Sequence, residues 1–467
     1  MNSYDLRIAN GRVLLPGTGL NDVDVLIHDG RIAGLCEPGA DVPTEETLNA
    51  RGLTVLPGAI DAHVHLGKDI TYPRDDEDTA LETAAAAAGG VTSLLAYLMT
   101  PEPYDQVFPG VVERMQASAA IDFGFHFCIV TEEQLHSIPN YAKELGVSSF
   151  KFFMNFRGDE GKYLGLPGND DGFLYELMRT AASSGTMIDP HAENIEIVWR
   201  LRAEAAGTTE PPLQVWNGIR PPFVEAEAEQ RAAYLAGVAR ASMYAVHVSS
   251  REALDVLVDA RRRHPDVYLE TCPHYLTHDV DSDLGLRGKV NPPLRTADDR
   301  EALWAAVANG TIDVVGSDHV PRHHSKKSGD IWKASAGFPG LQSLLPVLLS
   351  EGHLRRGIPL ERVVDTVTAR PAQLFGLYPR KGVLAVGADA DVALVDLNAP
   401  STIEAASQLS AAGYSIYEGW ELKCSVVHTL VRGAFALRDG QLVDGARGRF
   451  LRRPHSGATA LAGGDTQ

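Results

Sequence analysis

Cysteine is scarce in this sequence of 467 residues. The four cysteines, Cys36, Cys128, Cys272 and Cys424, lie far apart and include no Cys-x-x-Cys pair. Their spacing excludes a disulfide framework and a thiolate zinc knuckle. Isolated thiols suit a reducing compartment, and the first residues lack the basic and apolar pattern of a signal peptide. We therefore expect a cytoplasmic protein.

Basic residues are also fewer than acidic ones. The chain has 42 basic and 61 acidic residues, for a net charge of −19. Nucleic acids and anionic membranes both need a basic surface, so we expect neither as a partner. The longest run of small apolar residues, 84–98, is interrupted by Gly89-Gly90, which argues against a membrane span. Phosphate-binding glycine loops and the Gly-x-Ser-x-Gly nucleophile motif are absent from the sequence.

The middle of the chain alternates apolar strand segments with helical patterns. The predicted strands are Gly58–His63, Val91–Tyr97, Phe123–Ile129, Phe150–Met154, Thr186–His191, Met243–Val248, Val267–Thr271 and Ile312–Asp318. Eight such units predict an α/β fold, a (β/α)8 TIM barrel over residues 57–380. Both ends of the chain are rich in short strands and Gly turns. We predict that 1–56 and 381–450 form one small β-sandwich domain and that 451–467 is a flexible tail.

A His-x-His motif occurs at the first predicted barrel strand. Because alternate side chains of a strand point to the same face, His63 and His65 can form half of a site for a divalent metal such as zinc. Two histidines in a surface loop would be the ordinary alternative. Here the flanking residues are apolar, and further polar residues follow downstream.

Four more polar residues fall in or at the ends of apolar strands: Lys151, His191, His247 and Asp318. Each alone has an ordinary explanation, such as a hydrogen-bonded core histidine or an aspartate that caps a helix. Barrel enzymes place their active sites at the carboxyl ends of the strands, where all of these residues are predicted to lie. The set therefore predicts a metal-dependent active site.

The order His-x-His, strand Lys, His, His, Asp resembles the amidohydrolase superfamily. Within it, the chain is most similar to the cyclic-amidase branch of hydantoinase, dihydropyrimidinase, allantoinase and dihydroorotase. The segments 85–92, 270–276, 291–295, 316–319 and 387–392 match as well. The resemblance extends over nearly the whole chain and implies a hydrolase that opens a carbon–nitrogen bond in a small cyclic amide. It also implies a homo-oligomer, a tetramer in this branch.

The resemblance also assigns roles to the site residues. It implies two divalent metal ions, zinc in the first place and manganese or cobalt as alternatives. His63, His65 and Asp318 would hold one ion, and His191 and His247 the other. Lys151, carboxylated on Nζ, would bridge them, since an unmodified ammonium would repel metals. A hydroxide held between the ions would attack the ring carbonyl, and Asp318 would move the proton as the catalytic residue.

Substrate contacts are predicted at Asn291, Phe156, Gly337 and His274. Hydantoinases and dihydropyrimidinases place an oxyanion-binding tyrosine five residues after the lysine, where this chain has Phe156. Either Tyr163 or another group replaces it, or the metals do more of this work. The phenylalanine favours a bulkier, more apolar ring substituent. Dihydroorotases place a carboxylate-binding arginine just after the His-x-His motif. Residues 66–68 are Leu-Gly-Lys here, which disfavours orotate-type chemistry.

Three alternatives remain open from the sequence. The protein could be allantoinase-like or dihydroorotase-like instead of hydantoinase-like. It could be a non-catalytic interaction protein related to dihydropyrimidinase, although those proteins have lost metal ligands that this chain keeps. A single-metal deaminase of the same superfamily is a third alternative, against which Lys151 argues.

Overall fold

The amino-terminal part of the chain is a series of short strands. The computed structural model of the protein describes residues 3–67, 71–158, 160–162, 165–166, 168–444, 448–453 and 455. The first strands are β1 (Tyr4–Ala9), β2 (Arg12–Leu15), β3 (Gly19–Asp22), β4 (Asp24–His28), β5 (Arg31–Cys36), β6 (Thr44–Asn49) and β7 (Thr54–Pro57). Asn10 and Asp29, each followed by glycine, adopt positive φ in the turns after β1 and β4, a conformation that these side chains tolerate.

The predicted barrel is confirmed. Its eight strands are β8 (Ala59–His65), β9 (Val91–Leu98), β10 (Asp122–Cys128), β11 (Ser149–Phe153), β12 (Met187–His191), β13 (Ser242–Ala245), β14 (Val267–Thr271) and β15 (Val314–Val315). They are parallel and follow one another in sheet order. Val64 pairs in parallel with His319, and the His65 amide donates to the His319 carbonyl at 2.8 Å, which closes the sheet.

Helices cover the outside of the barrel. They are α1 (Glu77–Ala88), α2 (Tyr104–Ser118), α3 (Glu132–His136), α4 (Ile138–Asn140), α5 (Asp171–Ser183), α6 (Ile195–Glu204), α7 (Pro212–Gly218), α8 (Pro222–Ala239), α9 (Arg251–Arg263), α10 (Pro273–Thr277), α11 (Ala297–Asn309), α12 (Leu344–Val347), α13 (Leu360–Asp365) and α14 (Ala369–Leu374). Among the described residues, no helix combines the length and the apolar character needed to cross a membrane.

Two barrel strands end earlier than their apolar patterns predict. The predicted strands continue to Val248 and Asp318, whereas β13 ends at Ala245 and β15 at Val315. His247 and Asp318 both adopt positive φ, at 44° and 49°, which is incompatible with an extended strand. The chain thus leaves the sheet at two of the predicted metal ligands, and backbone strain of this kind is typical of functional sites.

The two ends of the chain meet in the predicted sandwich. The carboxyl-terminal strands are β16 (Val392–Asp396), β17 (Ser401–Thr402), β18 (Glu421–Leu422), β19 (Ser425–Val431), β20 (Ala434–Arg438) and β21 (Gln441–Leu442). One sheet has the order β5-β4-β1-β6, and a second, β21-β20-β19-β16-β7-β2-β3, takes strands from both ends. Their facing side chains, including Ile8, Val25, Val392 and Leu430, form one buried apolar cluster.

The chain stays packed beyond the last strand. Leu451 and Arg453 are fully buried, the Arg453 amide donates to the Gly146 carbonyl at 2.7 Å, and its guanidinium donates to the Phe125 carbonyl. The packed part therefore includes the first three residues of the stretch predicted as a flexible tail. Apart from residue 455, the rest of that stretch lies outside the described residues.

A buried ion cluster joins the barrel to the sandwich. Lys381 Nζ lies 2.7 Å from an Asp122 oxygen, 2.5 Å from Asp391 and 3.2 Å from Asp389. Asp122 opens β10, whereas Asp389 and Asp391 precede β16, and Arg432 also pairs with Asp122. Burial alone would lower the pKa of Lys381, but the three carboxylates outweigh it and raise that pKa.

We predict that Lys381→Met destabilises the protein by about 3–5 kcal/mol, because it leaves buried carboxylates without their shared cation. Urea unfolding followed by circular dichroism measures the change. Lys423→Met, at an exposed position, is the control and should shift stability by less than about 0.5 kcal/mol. An unchanged unfolding midpoint for Lys381→Met would contradict this account of the cluster.

Candidate metal centre and active-site cavity

His63, His65 and Asp318 form a compact buried group at the carboxyl end of the barrel. His63 Nε2 lies 3.2 Å from Asp318 Oδ1, and His65 Nε2 lies 3.5 Å from the same oxygen. One potential ligand atom from each residue falls within 4.8 Å of the others. His63 Nε2 and His65 Nδ1 are buried without a hydrogen-bond partner among the described residues. Two imidazoles and a carboxylate in this arrangement suit a divalent metal ion.

The remaining predicted ligands lie beside this group. His191 Nδ1 and His247 Nε2 are 2.9 Å apart, and the His247 ring centroid lies 5.4 Å from that of His63. Lys151 is 1% exposed, and its Nζ lies 4.6 Å from the centre of the Tyr97 ring. All six predicted ligand residues line one cavity.

The carboxylate of Glu270 connects both histidine groups. Its Oε1 accepts from His63 Nδ1 at 2.7 Å and from the His247 amide at 2.8 Å, while Oε2 accepts from the Tyr244 hydroxyl at 2.6 Å. Gly316 makes room for it, since a Cβ there would lie 2.6 Å from Glu270 Oε2. A carboxylate on Nδ1 fixes the His63 ring with Nε2 facing Asp318, as is usual for metal-binding histidines.

The carboxylate of Glu193 orients the His191 ring in the same way. Its Oε2 lies 2.7 Å from His191 Nε2, which leaves Nδ1 facing His247, and its Oε1 accepts from Arg220 at 2.9 Å. Burial raises the pKa of Glu193, but Arg220 and His191 outweigh this and lower it to about 2. Glu193 is therefore an anion that orients the imidazole.

Most of the site histidines are neutral. Burial lowers the pKa of His65 to about 3 and also lowers the pKa values of His191 and His247. Burial has the same effect on His63, but Glu270 and Asp318 outweigh it and raise its pKa to about 9. Burial raises the pKa of Asp318, whereas His63 and His65 hold it well below its usual range. His65, His191, His247 and Asp318 are therefore in the protonation states that bind metals, and His63 would release its proton when a metal binds.

The cavity above these residues has a volume of about 500 Å³. Phe156, Asn291 and Gly337 line it, as predicted substrate contacts should, whereas His274 lies outside the lining and packs against Tyr275 and Phe338. Asn291 Oδ1 accepts from the Trp216 indole at 3.0 Å. Tyr163 and Lys68, which entered the sequence argument, lie outside the described residues.

Several residues of the site were missed in the sequence. Glu270 and Glu193 orient the histidines, and Asn155 lines the cavity with its buried Oδ1 lacking a partner among the described residues. The sequence could have indicated both acids as site residues. Glu270 lies inside the apolar strand 267–271, and Glu193 follows His191 by two residues. Nothing in the sequence pattern distinguishes Asn155 from an ordinary loop residue.

Comparison with known proteins identifies the family of the chain. The model of the amidohydrolase family matches residues 54–443. The chain belongs to the amidohydrolase family. This confirms the membership that the motifs predicted.

Similar proteins lie in the predicted branch of that family. The chain is 34% identical to a D-hydantoinase of Geobacillus stearothermophilus, with 97% of each chain covered. It is 35% identical to an allantoinase of Solibacter usitatus, with 98% of each covered. The crystal structure of dihydropyrimidinase from Brevibacillus agri superimposes with a TM-score of 0.86 at 31% identity, covering 96% of this chain and 98% of that one.

We predict that Glu270→Gln weakens metal binding by about 10–100-fold, because the amide removes the anion that orients His63. Competition with a chelating dye measures the affinity. Tyr244→Phe is the matched control, since it removes one hydrogen bond to Glu270 and keeps the charge, and it should have a smaller effect. Equal metal affinity in wild type and Glu270→Gln would show that Glu270 does not position the centre.

Proposed function

We propose that the protein is a binuclear metal-dependent hydrolase that opens the ring of a cyclic amide or ureide, as in hydantoinases and dihydropyrimidinases. One observation carries the proposal: six residues with ligand chemistry surround one cavity at the carboxyl ends of the barrel strands. The similarity to hydantoinases along the full chain supports the reaction class.

The donor set fits two divalent metal ions. His63, His65 and Asp318 would hold the first, and His191 and His247 the second. The approach of His63 Nε2 and His65 Nε2 to the same Asp318 oxygen, at 3.2 and 3.5 Å, supports this assignment. Imidazole donors favour zinc, with manganese or cobalt as alternatives. When bound, two such ions supply an activated water and polarise the carbonyl of the substrate.

Lys151 would complete the centre as an N6-carboxylysine. Its Nζ attacks carbon dioxide, the new N–C bond forms, and a proton leaves the nitrogen, so that a carbamate anion replaces a cation. Only the neutral amine can react in this way. Burial lowers the pKa of Lys151, although Asp318 and Asp189 oppose this, so the reactive amine is more abundant than in water.

Asp318 would be the catalytic residue. The low pKa of its carboxyl leaves it ionised, so an oxygen of Asp318 can accept the proton of the attacking water. When the ring C–N bond breaks, the same oxygen returns this proton to the departing nitrogen. Its position beside both His63 and His65 would place the carboxylate next to a carbonyl bound at the metal centre.

Ring recognition would use the residues of the cavity wall. Phe156 has no hydrogen-bond donor and stacks on Phe153, with 4.4 Å between the ring centroids. Asn155, one residue earlier, lines the same cavity with a buried and unpartnered Oδ1. We infer that this oxygen accepts the ring N–H, while Asn291 and Gly337 contact the opposite edge of the ring.

An allantoinase is the second candidate, favoured by the 35% identity to the Solibacter protein. A dihydroorotase-like activity is disfavoured by Leu66-Gly67-Lys68, and a non-catalytic role by the retention of all ligand positions. A homotetramer and a cytoplasmic location remain predictions, which analytical ultracentrifugation and cell fractionation test.

Lys151→Ala should lose the binuclear centre and the activity together, because the bridging anion is removed. Elemental analysis of the purified variant gives the metal content, with fewer than two ions per chain expected. Added short carboxylic acids should restore part of the rate by replacing the carbamate. Full metal content and full rate in Lys151→Ala would contradict the bridging role.

A substrate panel tests the reaction class. We predict ring opening of 5-substituted hydantoins, dihydrouracil or allantoin by zinc- or manganese-loaded enzyme. Asp318→Asn should keep the fold and lower kcat by about 10²–10⁴-fold, which controls for contaminating activity. Fastest turnover of dihydroorotate would contradict the interpretation of residues 66–68. No turnover of any of these compounds with two metals bound would contradict the proposed function.

A further inference from the structure

The active-site cavity is strongly basic outside its metal ligands. Six cationic residues line it, here called the cationic wall: Arg202, Arg220, Lys289, Arg322, Lys326 and Lys333. Among the described lining residues, Glu160 is the acid other than Asp318, and it already accepts from the Trp199 indole at 3.2 Å. This is unexpected in a chain with a net charge of −19.

Lys289 is the most buried member of the wall. It is 4% exposed, and its Nζ donates to the carbonyls of Ile331 and Ala334, both at 2.6 Å. The Trp216 ring centre lies 4.0 Å from the same nitrogen. Within the described part of the chain, Lys289 forms no ion pair with a carboxylate. A buried cation without an anion is costly, and carbonyl dipoles offset only part of that cost.

Arg220 and Arg322 contribute hydrogen-bond donors that have no acceptor. The Nε atoms of both are buried and unpartnered among the described residues. Arg220 donates through Nη1 to Glu193 and lies over Trp216, with 4.7 Å between its Cζ and the ring centre. A buried N–H without an acceptor costs free energy that an oxygen of a bound anion can recover.

The cations also act on one another. Burial, together with Arg220 and Arg202, lowers the pKa of Lys289 to about 8. Lys327 lies behind the wall and donates to the Lys289 carbonyl at 3.0 Å, and burial, Lys289 and Arg322 lower its pKa further. These shifts show that the positive charges repel one another across a short distance. A bound anion would offset that repulsion.

We propose that the substrate of this enzyme carries a carboxylate on its ring substituent, and that Arg220, Lys289 and Arg322 bind it. This rests on the proposed function and names the substrate class of the same site. The ring amide would lie over the metal ligands and the carboxylate would face the cationic wall. Leu66-Gly67 stand where dihydroorotases carry arginine, so the anion belongs on a substituent and not directly on the ring. The wall argues against the purely apolar substituent that Phe156 suggested.

A matched pair of substrates tests the proposal: 5-(2-carboxyethyl)hydantoin and its amide, 5-(2-carbamoylethyl)hydantoin. The two have nearly the same shape and differ in charge. We expect kcat/KM to favour the carboxylate by at least about tenfold, since hydrogen bonds to charged groups exceed neutral ones by this order. The preference should shrink as salt is added, because screening weakens charge pairing. Equal turnover of both compounds, or a preference for the amide, would overturn the proposal.

Substitutions in the cationic wall test which of its residues cause the preference for the carboxylate. Arg322→Met and Lys289→Met should each reduce the carboxylate-to-amide ratio of kcat/KM by about tenfold, mainly through KM for the carboxylate. Arg200→Met removes an exposed arginine of α6 that does not line the cavity, and it should leave the ratio unchanged. A ratio that Arg322→Met and Lys289→Met leave unaltered would overturn the assignment to these residues.

A binding measurement separates this proposal from the proposed function. Calorimetric titration of zinc-loaded Asp318→Asn with each hydantoin gives affinities without turnover. If neither hydantoin is hydrolysed by the wild type, the proposed ring-opening activity fails for this class, yet tighter binding of the carboxylate would still support the cationic wall. If both are hydrolysed and bound equally, the activity stands and the anionic substrate is wrong.

Discussion

The carboxylate of Glu270 receives three hydrogen bonds from two segments of the barrel. It accepts from the His63 ring on β8, from the His247 amide after β13 and from Tyr244 on β13. These contacts orient one histidine from each of the two predicted metal groups. They require the close approach of Gly316, which has no side chain to block the carboxylate. Without this carboxylate, the His63 ring and the backbone of His247 would lose the contact that holds both residues at one cavity.

Charge is distributed unevenly through the molecule. Buried acids compensate buried cations at Lys381 and at Arg220. Beside the cavity, by contrast, Lys289 and Arg322 have no carboxylate partner within the part of the chain that the structure describes. An acidic exterior and a basic cavity together favour entry of small anions over large polyanions. The acidic balance of the whole chain therefore says little about the charge of its substrate.

The barrel, and the polar residues that line the cavity at the carboxyl ends of its strands, could be predicted from the sequence because they depend on local pattern. Apolar strands of five to seven residues repeat, and the predicted ligand residues lie in them or at their ends. The cationic wall could not be predicted in this way. Arg220, Lys289 and Arg322 come from loops that follow different strands, and only the closed barrel brings them to one cavity.

The early ends of β13 and β15 could not be predicted from the apolar pattern either. Val246 and Val248 flank His247 as they would in a strand, yet His247 adopts positive φ. Apolar alternation reports burial, and burial continues past the point where the backbone leaves the extended conformation. Where the backbone departs, the His247 amide donates to Glu270, a tertiary contact that the local sequence pattern does not contain.

A crystal structure of the zinc-loaded protein, with anomalous scattering measured at the zinc edge, tests the central claim most directly. The account predicts two anomalous peaks, one beside His63, His65 and Asp318 and the other beside His191 and His247. It also predicts continuous density from Lys151 Nζ for a carboxylate between them. A single peak, or an unmodified Lys151 beside two peaks, would contradict it.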